Sequence, residues 1–252
     1  MRPNPARRLA VAAACGWLAA FAAGQQPAAA EPAPQPHAET SPGPKAPPRP
    51  THAPKLGLPP LLAWQHVRAG NAARVKAQAE QKDAPAPAPR PSGAGRYVCA
   101  VLTCADADVD VAALLGLRRR DVLLLSVPGP FVTPDAVALL EQAVAEQQLS
   151  LVIVLGHADC RTLATRRGET PNQDATARRV ATARADAERD AAPLLPHLLR
   201  AQCLRLLAAS DLLRRHAVAD TLRVLPAQVH AHTGAIAWQH ERADEYAVRP
   251  VR

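Results

Sequence analysis

Two apolar runs of strand length, each opening onto metal-competent residues, constrain this chain more than anything else in it. Residues 97–103 read Tyr-Val-Cys-Ala-Val-Leu-Thr and lead into Cys104, Ala105, Asp106, Ala107 and Asp108. Residues 151–155 read Leu-Val-Ile-Val-Leu and lead into Gly156, His157, Ala158, Asp159 and Cys160. Apolar stretches this short, without polar alternation, suit strands buried on both faces. In an open α/β sheet, ligands sit beyond the carboxyl ends of such strands. Cys104, His157 and Cys160 are therefore expected to meet at one edge of a sheet. Two thiolates and one imidazole with a free fourth position form a recognised pattern for catalytic zinc.

The segments between and after these runs supply the helices that a parallel sheet needs. Residues 109–117 read as a short helix or irregular crossover, and residues 121–127 as a second apolar strand. Thr133 is a good cap with Pro134 at the first helical position, so a helix over 135–148 is expected to turn Val137, Leu140, Val144 and Ala145 inward. Residues 172–190 and 194–213 read as further helices, the second kinked or restarted at Pro196. A strand over 222–229, a turn over 230–234 and a short strand over 235–238 end the sheet with an antiparallel edge. Strands joined by helical crossovers give an α/β fold, a central and mainly parallel sheet flanked by helices.

Composition divides the chain. Arg2, Arg7 and Arg8 precede an apolar stretch over 9–23, and Ala28, Ala29 and Ala30 offer small residues for cleavage, so residues 1–30 read as a signal peptide. The apolar stretch falls short of the roughly 20 residues that span a bilayer, so no permanent membrane span is expected. The expected destination is the periplasm. Residues 31–56, rich in Pro and Ala, read as a disordered tether. The functional domain is expected over 57–240, with a helical arm at 57–83, a Pro/Gly linker at 84–95, the α/β core at 96–240 and a tail at 241–252. Cut off by its linker, the arm is expected to stand apart from the body and to be able to pack across a partner subunit.

The net charge of +8 invites a nucleic-acid reading, but its distribution does not support one. Residues 1–55 hold six basic side chains (Arg2, Arg7, Arg8, Lys45, Arg49, Lys55) against Glu31 and Glu39, which is half of the total. The rest is scattered, with no basic run beyond Arg118, Arg119 and Arg120, and an aromatic content of 3% leaves little to stack on bases.

Of the five cysteines, Cys15 lies within the expected signal. Cys99 falls inside a strand and Cys203 on an apolar helix face, where a buried thiol is the ordinary reading. Cys104 and Cys160 stand at strand ends beside polar partners. They suit zinc, because thiolates and imidazole match a borderline-soft ion. Other readings of the same residues are two buried thiols beside a surface histidine, a nucleophilic Cys-His pair, or a Cys104–Cys160 disulfide stapling an exported binding domain. Asp106 is the nearest candidate for the fourth position. A water held there is acidified into a nucleophile, whereas the Asp106 carboxylate held there leaves none. Asp106 and Asp108 also suit loop capping.

The segments around Cys104 and His157 together resemble the beta-class carbonic anhydrases, whose two motifs are Cys-x-Asp-x-Arg and His-x-x-Cys. The likeness extends to Gly70-Asn71, to Val127-Pro128-Gly129-Pro130 and to His232-Thr233-Gly234-Ala235-Ile236, and covers roughly residues 58 to 240. It implies a beta carbonic anhydrase-like fold and Zn2+ on Cys104, His157 and Cys160. It also implies Asp106 as the catalytic residue that orients the attacking water, and interconversion of carbon dioxide and bicarbonate by a homodimer or a multiple of dimers. The chain departs from the pattern at Asp108, which replaces the arginine, and at Arg161, which replaces a glycine. Asp108 is expected to oppose ionisation of Asp106 and to favour its binding to zinc, closing the site. Arg161 is a candidate to supply the missing charge. A zinc-binding homologue with impaired catalysis and a structural or interaction role is the alternative to a working hydratase.

Overall fold

The computed structural model describes residues 57–164 and 175–239. The expected signal peptide (1–30), tether (31–56) and tail (241–252), and the start of the helix expected over 172–190, lie outside the described residues. Helix α1 (Pro60–Ala79) comes first, then β1 (Cys99–Cys104), the short α2 (Val111–Leu114), a 3-10 turn (Arg119–Asp121) and β2 (Val122–Val127). Next come α3 (Pro134–Gln147), β3 (Leu151–His157), α4 (Ala175–Arg189), α5 (Leu194–Ala209), α6 (Asp211–Val218), β4 (Arg223–Val229) and β5 (Ile236–Trp238). The strands lie in the order β2-β1-β3-β4-β5, with only β5 antiparallel to its neighbour. This is the mainly parallel α/β sheet that the sequence leads one to expect.

Side-chain alternation along the strands sorts the core into two layers. Cys99 and Val101 of β1, with Leu151, Ile153 and Leu155 of β3, face the side covered by α1 and α2. Ala100, Leu102, Val152 and Val154 face the side covered by α3, α5 and α6. Every residue of β1 and β3 is buried, which explains why neither run shows polar alternation.

Helix α1 is docked on its own chain and does not stand apart as expected. Ala63, Trp64 and Val67 join the core of the first layer. Asn71, buried, donates to Leu114 O at 3.0 Å and Gly234 O at 2.8 Å, and its Oδ1 accepts from Ile236 N at 3.1 Å. The backbones of Gly70 and Gly116 touch: a Cβ on Gly70 would lie 2.2 Å from Leu115 O. A Pro-rich linker says nothing about such long-range partners, which is why the pattern suggested a free arm.

Three smaller departures have local causes. In α3 the Thr133 cap forms as expected, accepting from Ala136 N at 3.2 Å, but Ala143 rather than Ala145 turns inward beside Leu140 and Val144. The helix expected over 194–213 is broken at Ser210, whose Oγ accepts from Leu213 N at 3.1 Å and starts α6. Pro196 does not kink α5, because it sits in the first turn, where backbone N–H groups have no helical partner to lose.

Candidate metal centre

The strand register brings the predicted ligands together. Thr103 pairs with Leu155, so Cys104 at the end of β1 and His157 at the end of β3 finish at the same edge of the sheet. Cys160 follows in a tight turn, its carbonyl accepting from Leu163 N at 3.1 Å and Ala164 N at 3.0 Å. This returns its sulfur to within 3.5 Å of Cys104 Sγ. Asp106 lies in the turn after β1. Its Oδ1 contacts Cys104 Sγ and sits 2.9 Å from His157 Nε2 and 3.7 Å from Cys160 Sγ. The four ligand atoms of Cys104, Asp106, His157 and Cys160 all lie within 4.8 Å of one another.

The surroundings hold these groups in place. Gly129 N donates to Cys104 Sγ at 3.1 Å. Gly129 has φ 68°, and a Cβ there would lie 2.6 Å from the Phe131 ring, so the turn that aims this N–H needs glycine. Phe131, Leu163, Val180, Ala183 and Leu198 form an apolar shell around the two cysteines. The other Asp106 oxygen, Oδ2, accepts from Thr162 N at 2.9 Å and from Thr162 Oγ1 at 3.3 Å.

Burial resists ionisation of Asp106, but donation from Cys104, from the Thr162 amide and from His157 outweighs it and holds the carboxyl well below the usual carboxylate range. Burial pushes the Cys160 thiol up to about 12, with Cys104 and Asp106 adding to the effect. Cys104 and the ionised Asp106 carboxylate both oppose a negative charge on the Cys160 sulfur. A divalent cation reverses the sign of that interaction, and a donor set of two sulfurs, a nitrogen and an oxygen fits zinc.

Of the residues singled out in the sequence, Cys104, Asp106, His157 and Cys160 converge, while Asp108 and Arg161 do not. Asp108 is exposed and is not among the groups that shift Asp106, so the expected mutual repulsion is absent and Asp106 moves in the opposite direction. Arg161 is also exposed and is not among the groups that shift Asp106. Thr162 and the Gly129 amide were missed. A hydroxyl two residues beyond Cys160 at a turn is the signal that could have pointed to Thr162. The donor role of Gly129 is a backbone property with no side-chain signal.

A carbonic anhydrase family model matches residues 99–236, more than half of the chain. The fold is similar to that of the wild-type β-carbonic anhydrase CafD of Aspergillus fumigatus, with TM-score 0.50, 14% identity, and coverage of 61% of this chain and 94% of that one. A point mutant of the same enzyme aligns with TM-score 0.51 and 16% identity, covering 61% and 94%. A tetrameric β-carbonic anhydrase of Sordaria macrospora aligns with TM-score 0.49 and 17% identity over 71% and 97%. No curated protein matches the sequence. With the match running from the first residue of β1 to the start of β5, and with Cys-x-Asp and His-x-x-Cys meeting in one cluster, the chain belongs to the carbonic anhydrase family as a divergent member of its β class.

Proposed function

We propose that this chain is an exported, zinc-dependent carbonate dehydratase that interconverts carbon dioxide and bicarbonate, with Asp106 at the fourth metal position when the site is at rest. The observation that carries this reading is the convergence of two sulfurs, an imidazole nitrogen and a carboxylate oxygen within 4.8 Å, at the edge of a parallel sheet where ligands bind. Cys104, His157 and Cys160 would hold the metal, which when bound acidifies a water into a nucleophile near neutral pH. For that role Asp106 Oδ1 would leave the metal and orient the water by a hydrogen bond. The apolar side chains of Phe131, Leu163 and Leu198 suit a small uncharged substrate and limit competing water. Export through residues 1–30 to the periplasm belongs to the same proposal, as does a homodimer, for which the exposed Leu61 and Leu62 of α1 offer an apolar face.

The test is stopped-flow carbon dioxide hydration at pH 7 and pH 9 on protein of measured zinc content. One zinc per chain with a rate above buffer is expected. Full zinc with no such rate would overturn the hydratase and leave the second reading, a non-catalytic zinc-binding homologue. That reading is favoured by one observation: Thr162 holds Asp106 Oδ2 with two donors while Asp108 contributes nothing.

A further inference from the structure

We propose that Thr162 is the positioning residue for Asp106 in this chain, braced from outside by Arg184, and that it keeps the Asp106 carboxylate turned into the metal centre. This rests on the zinc reading above. The two oxygens of a carboxylate lie in one plane at a fixed angle about their carbon, so fixing one oxygen with two donors fixes the direction of the other. Thr162 supplies both donors, its amide at 2.9 Å and its hydroxyl at 3.3 Å from Oδ2. Oδ1 is left facing His157 Nε2 at 2.9 Å and the two cysteine sulfurs.

The amide is available for a geometric reason. In the turn after Cys160 the cysteine carbonyl takes the N–H groups of Leu163 and Ala164, which leaves the Thr162 N–H directed at Asp106. The turn is itself held. Arg184 of α4 donates from Nη2 to Leu163 O, the carbonyl of the residue after Thr162. Arg184 thus bears on Asp106 through the backbone rather than by ion pairing. The position two residues after Asp106, where the family carries an arginine, holds the exposed Asp108 and does no such work.

The test replaces zinc with cobalt(II) and reads the visible absorption spectrum while azide is added, which reports whether the fourth position can be opened without reference to turnover. Metal content is measured in the same samples. The wild type and Thr162→Ser should respond weakly to azide. Thr162→Val, which keeps the shape and loses the hydroxyl, should bind azide about tenfold more tightly, the size expected for loss of a charge-assisted hydrogen bond. Arg184→Gln should shift azide binding in the same direction. Equal azide affinity in the wild type, Thr162→Ser and Thr162→Val, all at full cobalt loading, overturns the positioning role and leaves the metal reading intact. Failure of the wild type to take up cobalt or zinc overturns the metal reading, and the positioning role with it.

Discussion

Cys99 and Cys104 begin and end the same strand, and both are almost completely buried, yet their sulfurs meet different surroundings. Cys99 packs among Val101, Val122 and Ile153 in the core, and burial alone pushes its thiol up to about 12. Cys104 receives the Gly129 amide at 3.1 Å and lies against Asp106, Cys160 and Thr162. The same contrast separates Cys203, buried on α5 with its thiol raised by burial, from Cys160. Burial therefore does not make a cysteine a ligand. The difference comes from position: the start of β1 and the apolar face of α5 offer a sulfur only hydrocarbon, while the carboxyl edge of the sheet offers amides, a carboxylate and an imidazole.

Removing a proposed ligand sulfur should have the largest effect. Cys160→Ser is expected to lower zinc affinity by more than about 100-fold, beyond what loss of a supporting group costs, measured by competition with a chromogenic chelator. A variant that keeps wild-type affinity would erase the distinction between the two kinds of cysteine. Next in size is the response of metal-free protein to alkali. A thiol raised on folding stabilises the protein below its ordinary value of 9.0, and that contribution is lost as pH climbs towards about 12, because the unfolded chain ionises first. Urea unfolding should therefore show stability falling by up to about 1.4 kcal/mol per pH unit for each such thiol. The slope should lessen in Cys99→Ala. If it does not, Cys99 is not the apolar thiol described.

Smaller effects sharpen the contrast from the other side. Cys99→Ala should keep one zinc per chain while costing about 1–2 kcal/mol of stability, as a small cavity in a packed core does. Loss of zinc from that variant would mean that the core and the metal edge are coupled. Asp108→Ala, at an exposed position, should change stability by no more than about 0.5 kcal/mol and leave zinc content alone. A large change would restore Asp108 to the site from which its exposure removes it.

The fold was legible wherever a local pattern reported a local cause. The unbroken apolar runs of β1 and β3, the Thr133 cap and the closing hairpin each carry their reason within a few residues. What could not be read depends on partners distant in sequence. Asn71 bonds the backbone of residues 234 and 236, so α1 looks detached until the sheet is assembled. Ser210 ends one helix and begins another, and its donation to Glu141 of the neighbouring α3 has no trace in the periodicity. The candidate metal cluster was accessible because its residue types are rare and stand at or near strand ends. The partner of Asp106 was not, because the family pattern drew attention to Asp108 and Arg161, while geometry assigns the contact to the amide and hydroxyl of Thr162.

The most direct test is X-ray absorption at the zinc edge on the purified full chain, with zinc stoichiometry measured on the same sample. One zinc per chain with two sulfur and two nitrogen or oxygen neighbours is the expected result, matching Cys104, Cys160, His157 and Asp106. Protein that carries no zinc and instead joins Cys104 to Cys160 in a disulfide would contradict it.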